Sequence, residues 1–130
     1  MLVLTIRTDN PEAEIGLFDS QSKLGYEVWH AHRELSMTIH NKINDVLVAH
    51  NKSFEDIQGI VCFAGPGSFT GLRIGLSVGN TLAYGLDLPI LATQGEEWIA
   101  DGIKQLESGH TDKVAQPFYG ADVHITVPRK

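Results

Sequence analysis

Ile60-Val61-Cys62-Phe63-Ala64-Gly65-Pro66-Gly67-Ser68-Phe69-Thr70-Gly71-Leu72-Arg73-Ile74-Gly75 is the stretch that decides how this chain folds. Its first five residues are all apolar, as expected of a central strand covered on both sides. Glycine and proline then force a turn. From about Ser68 to Leu86 the apolar residues recur at helical spacing. Strand, glycine-rich turn and helix together place backbone N–H groups at a helix start. Such a turn either holds a phosphate or brings backbone against backbone, and the choice separates an enzyme from a scaffold.

Gly67, Gly71, Gly75, Gly79 and Ala83 are spaced by four, which makes a ridge almost without side chains along the helix. Each interior glycine costs roughly 1 kcal/mol relative to alanine, so the ridge needs a compensating close approach of another backbone. Leu72, Leu76, Ile74, Val78, Leu82 and Leu86 flank the ridge, leaving Arg73, Ser77, Asn80, Thr81 and Tyr84 for the remaining face. The apolar arc spans roughly 200°, against the ~100° stripe of a surface helix, so two sides of the helix are expected to be covered. One cover is the sheet. The other is the preceding helix, a partner protein, or both. The loop spacing Gly-x-Gly-x-x-x-Gly is neither a dinucleotide fingerprint nor a P-loop, and it holds no lysine. A phosphate on the N–H groups of Ser68 to Thr70 is the lesser reading, with Gly65, Gly67, Phe69 and Arg73 as its other candidate contacts.

Working outward, Leu2–Ile6, Glu14–Phe18 and Tyr26–His30 predict three strands joined by short polar turns, an antiparallel meander. Arg33 to Asn51 predicts a helix whose stripe is Leu35, Ile39, Ile43, Val46 and Leu47. Met37 and Val48 fall on nearly the opposite face, beside Asn41 and Asn44. They are either ordinary surface apolar residues or a weakly apolar second face that meets a partner. Gln58–Phe63 and Leu88–Leu91 predict two further strands, and Gly95–Glu107 a third helix opened by Glu96 and Glu97. The order βββ-α-β-α-β-α suggests an α/β fold with a mixed five-stranded sheet: the ribonuclease-H-like lobe of the actin, sugar-kinase and Hsp70 group. Residues 1–107 form that lobe. Residues 108–130, broken by Gly109, Pro117, Gly120 and Pro128, form a tail whose Phe118-Tyr119 and Val123-His124-Ile125 could add an edge strand.

The 130 residues suit one domain, and their net charge of −6 makes a poor unaided nucleic-acid binder. No apolar run approaches the ~20 residues needed to span a bilayer. The N-terminus lacks the charged start and apolar core of a signal peptide, so the cytoplasm is the expected compartment. Cys62 is the single cysteine and is expected to be a small buried hydrophobe. His30, His32 and His40 lack metal-ligand spacing, Gly-Ser-Phe-Thr-Gly is not a hydrolase elbow, and no catalytic carboxylate pair stands out. No catalytic or metal-binding residue is therefore assigned.

The eleven residues from Gly65 to Gly75, with His32-Arg33-Glu34-Leu35 at the first helix start, Leu88-Pro89-Ile90 after the second helix and Pro117-Phe118-Tyr119 near the C-terminus, resemble the bacterial TsaB (YeaZ) family. The resemblance covers roughly residues 1–107 in order, plus the short tail motif. It implies a non-catalytic subunit in the biosynthesis of threonylcarbamoyladenosine in tRNA. Such a subunit pairs with a catalytic TsaD subunit, which carries the metal and transfers the threonylcarbamoyl group, and a small ATPase, TsaE, joins them. ATP and magnesium are expected at the level of the complex, with no cofactor assigned to this chain and tRNA reached only through the complex. In this family the first two helices of each subunit pack as a bundle, which makes Met37, Asn41, Asn44, Val48, Gly71, Leu72, Gly75, Leu76, Gly79 and Ala83 the expected partner interface. A bulky Gly75→Leu change should then abolish pairing while leaving the monomer mostly folded. Without its partner the chain is expected to form a homodimer through the same face. Two departures stand out: Arg7 occupies the position where the wider fold group places an Asp, and about 20 residues stand where relatives carry a second lobe. The rival readings are a nucleotide- or metal-dependent transferase or peptidase of the same fold, and a direct tRNA binder.

Overall fold

A computed structural model describes residues 1–30, 35–66, 69–112 and 114–116, without the side chains of Ser36 and Phe69. The described elements are β1 (Leu2–Arg7), β2 (Glu12–Asp19), β3 (Ser22–His30), α1 (Leu35–Ala49), β4 (Gly59–Phe63), α2 (Phe69–Leu86), β5 (Ile90–Thr93) and α3 (Trp98–Glu107). The five strands make one sheet in the order β3-β2-β1-β4-β5. β1, β2 and β3 pair antiparallel, whereas β4 is parallel to both β1 and β5. This is the mixed sheet of a ribonuclease-H-like lobe.

The register sorts the side chains. Leu4 opposite Leu17 and Ile60, and Ile6 opposite Ile15 and Cys62, share one face because paired residues point the same way. All six are buried. α1 lies on this face: Trp29 Nε1 donates to Thr38 Oγ1 at 3.1 Å, and Lys42 pairs with Glu27 at 3.3 Å. α2 lies on it too, over Ile6, Ile60 and Cys62. α3 covers the opposite face, where Gly102 sits against Val61 and Trp98 meets the Phe63 ring edge-on at 5.6 Å.

The element boundaries differ from expectation where chain reversals take over. β5 starts at Ile90 rather than Leu88, because the last turn of α2 captures Leu88: its N–H donates to the Ala83 carbonyl at 2.8 Å while Asp87 adopts φ 57°. That is a Schellman ending with Asp in the left-handed position. α1 ends the same way, with Asn51 at φ 58° and Lys52 N–H on the Leu47 carbonyl. α3 begins at Trp98 rather than Gly95, whose φ of 86° is incompatible with a helix, so Glu96 and Glu97 precede the helix. Arg33 and Glu34 at the expected start of α1, and the tail motif Pro117–Tyr119 with the segment 123–125, lie outside the described residues. Ala115 is 3% exposed and belongs to the hydrophobic core, so the packed lobe continues past residue 107.

Candidate functional site

Two places carry the candidate residues: the junction between the end of β1 and the start of α2, and the outer surface of α1 and α2.

At the junction the chain continues from β1 into Thr8 and Asp9, both buried. A Cβ on Gly71 would strike the Thr8 carbonyl oxygen, and one on Gly75 would strike the Thr8 hydroxyl and approach Ile6. A Cβ on Gly79 would come within 2.5 Å of Cys62 Sγ. From Gly71 to Gly79 the ridge therefore obtains its close contacts inside this chain, with the Thr8 backbone at Gly71 and with side chains of Thr8, Ile6 and Cys62 further along. Thr8 joins the two elements: its hydroxyl donates to the Gly71 carbonyl and accepts from the Gly75 N–H at 3.1 Å. These two bonds fasten α2 to β1 where glycine leaves room.

The residues expected at the interface on α2 lie inward. Gly75, Leu76, Gly79 and Ala83 are buried, Leu72 is 2% exposed, and Gly71 is packed against Thr8. These six serve the chain's own core, so Gly75→Leu would collide with Thr8 and cannot leave the fold intact.

The charges at the junction neutralise one another. Arg7 Nε lies 2.7 Å from Asp9 Oδ1, and Nη2 donates to Oδ2 at 3.3 Å. The Arg7 guanidinium also stacks on the Phe63 ring, 3.9 Å from its centroid. The hydrogen bond that Arg7 donates to Asp9 raises the Arg7 pKa above its ordinary value, against the opposing effect of burial. The cation at the departing position and the nearby carboxylate thus hold each other. Among the loop candidates, Gly65 is buried at φ 105°, while Thr70 and Arg73 are exposed. Gly67, Ser68 and the Phe69 side chain lie outside the described residues. Among the described residues no group of three or more His, Cys, Asp or Glu is placed to hold a metal ion. His30 and His40 are exposed, and His32 is outside the described residues.

The outer surface is different. Met37, Asn41, Asn44 and Val48 all lie on the exposed face of α1. Their spacing of four, three and four residues keeps them in one stripe. Met37 is 75% exposed and Val48 61% exposed, directly opposite the buried Leu35, Ile39, Ile43 and Val46. On α2 the exposed face carries Thr70, Arg73, Ser77 and Thr81, bordered by half-buried Ile74 and Val78. Both helices thus turn outward on the same side of the sheet. Sequence reasoning placed the α1 stripe but missed Thr8. Its signal was present: a hydroxyl residue directly after an apolar strand, facing a helix with glycine at i and i+4.

No described helix is long and apolar enough to cross a membrane. Residues 29–109 match the sequence model of the family described as TsaD, tRNA N6-adenosine threonylcarbamoyltransferase. The chain is similar to the tRNA threonylcarbamoyladenosine biosynthesis protein TsaB of Bacillus subtilis, at 30% identity over 93% of this chain and 51% of the relative. It is also similar to the TsaB of Escherichia coli, at 31% identity over 78% of this chain and 44% of the relative. The chain therefore spans about half the length of these curated relatives. In fold it resembles YeaZ from Pseudomonas aeruginosa, with a TM-score of 0.67 and 24% identity over 83% of this chain and 50% of that one. The chain belongs to the family described as TsaD, tRNA N6-adenosine threonylcarbamoyltransferase, and over most of its length it is similar to TsaB proteins.

Proposed function

We propose that this chain serves in the synthesis of threonylcarbamoyladenosine in tRNA as a pairing subunit with no catalysis of its own. It docks on a TsaD-like catalytic subunit through the outer faces of α1 and α2. Met37, Asn41, Asn44 and Val48 form one half of the contact. Thr70, Arg73, Ser77 and Thr81, with Ile74 and Val78 at their border, form the other. The observation that carries this reading is the exposure of Met37 and Val48 on the face of α1 opposite its buried stripe. The Arg7–Asp9 pair supports it, since the carboxylate nearest the glycine turn is already neutralised within the chain. ATP and magnesium act at the level of the complex, a TsaE-like ATPase joins it, and tRNA is reached through the catalytic subunit. Without its partner the chain pairs with a second copy through the same stripe.

Co-purification of the chain with the TsaD-like subunit of the same cell tests this reading. Val48→Asp and Met37→Asp should leave the fold intact and remove the partner from the eluate. Unchanged recovery of the partner by both variants would refute the interface. Magnesium-dependent ATP turnover by the isolated chain would refute the absence of catalysis.

A further inference from the structure

The edge of the sheet at β5 is closed in an unusual way. By the pleat, residues of β5 alternate between groups facing β4 and groups facing outward. Ile60 N–H donates to the Pro89 carbonyl and Ala64 N–H to the Thr93 carbonyl, so the odd-numbered residues face β4. Ile90 and Ala92 are left facing out, and those are the two donors a sixth strand would pair. No strand lies there among the described residues. Instead Ile90 N–H donates to Thr111 Oγ1 at 3.0 Å, and Ala92 N–H donates to Asp112 Oδ2 at 3.1 Å. The Ile90 carbonyl accepts from Asp112 N–H at 2.7 Å and from Thr111 Oγ1 at 3.2 Å. Two side chains and one backbone bridge thus stand in for a strand.

Three residues later a second clamp holds the same segment. Asn80 on α2 donates from Nδ2 to the Ala115 carbonyl at 3.0 Å and accepts from Ala115 N–H at 2.8 Å. A side-chain amide in this pose reproduces the reciprocal bonds of a strand pair, and it anchors Ala115 in the core, where it is 3% exposed. The segment is therefore fixed at both ends, at the β5 edge and on α2, with the exposed Val114 between the two anchors.

We infer that Thr111, Asp112 and Ala115 form a latch that takes the place of a sixth strand and holds the β5 edge closed against strand addition by a second copy of this chain. The occupant follows from the edge itself. Ile90-Leu91-Ala92-Thr93 carries no charge and no proline, the composition that pairs most readily once its backbone is bare. Two identical edges can meet antiparallel about a two-fold axis, which closes the assembly at two copies.

The test is amide hydrogen exchange, residue by residue, with sedimentation on the same samples. Thr111→Val with Asp112→Ala removes both side-chain acceptors and leaves the β4–β5 pairing untouched. Exchange at Ile90 and Ala92 should accelerate roughly tenfold or more, the size expected for a lost hydrogen bond, while Leu91 and Thr93 hold their protection. A concentration-dependent dimer should appear, and it should persist when Val48→Asp is added, which separates it from association through the helices. Asp112→Asn keeps an acceptor oxygen and should behave as the parent. Asn80→Ala loosens only the second clamp and should give a smaller acceleration at the same two amides. Unchanged exchange at Ile90 and Ala92 would overturn the latch. Bare amides on a chain that shows no new dimer would overturn the strand-addition role.

Discussion

The glycine ridge of α2 and the outer stripe of α1 look alike in the sequence and do opposite things in the fold. Each is a regular pattern that a surface helix does not need: glycine every fourth residue in one, apolar residues on the wrong face in the other. The ridge turns inward and lets the helix settle onto Thr8, Ile6 and Cys62. The stripe turns outward, with Met37 and Val48 left in solvent. A small-residue ridge reports a close approach but not which chain supplies the other surface. An exposed apolar stripe opposite a complete core stripe reports that none of the described residues covers it.

The comparison breaks most visibly if the ridge is filled. Gly75→Leu forces a side chain into Thr8 and Ile6, and overpacking of this kind should cost about 3 kcal/mol or more in a urea unfolding experiment. A variant of normal stability would return the ridge to the list of free surfaces. Gly71→Ala meets the Thr8 carbonyl and should also destabilise, despite the ~1 kcal/mol gained in helix propensity.

Thr8→Val sharpens the same point at smaller amplitude. It keeps the shape and removes the hydroxyl that serves Gly71 and Gly75, so unfolding should cost about 1–3 kcal/mol less while partner binding by the folded fraction stays normal. The outer stripe should respond in reverse. Met37→Asp and Val48→Asp should change stability by no more than about 0.5 kcal/mol, as exposed substitutions do, and still abolish pairing.

The smallest effect concerns Cys62 beneath Gly79. Burial pushes its thiol up to about 12 from 9.0, because the thiolate is disfavoured where no water reaches. The contribution to stability is full below the unfolded-chain value and is lost as pH rises from 9 towards 12, since only the unfolded chain ionises readily there. Native protein should therefore resist thiol reagents at pH 8, with labelling that tracks unfolding. Prompt labelling of the folded chain would show that α2 does not seal this face.

Much of the fold was legible because its signals are local. The apolar run at Ile60–Phe63, the three alternating strands and the two helical stripes each specify an element within a few turns of chain. Two of the boundaries that moved, the end of α1 and the start of β5, lie beside a non-glycine residue in the left-handed conformation. Asn51 and Asp87 end α1 and α2 this way, and neither carries the glycine that usually announces such a cap. The site was legible only in part. Which residues form the ridge follows from a period of four. Which surface meets it depends on Thr8, more than sixty residues away in sequence. The Arg7–Asp9 pair was present as two nearby charges, but its closure on Phe63 needs the register of β1 against β4.

In the proposed pairing the chain uses the outside of its helices and keeps the ridge for its own core. The measurement that tests it most directly is the affinity of Val48→Asp for the TsaD-like subunit, determined by calorimetry alongside the unfolding midpoint of the free variant. Affinity should fall at least a hundredfold with an unchanged midpoint. Affinity within twofold of the parent, at the same midpoint, would contradict it.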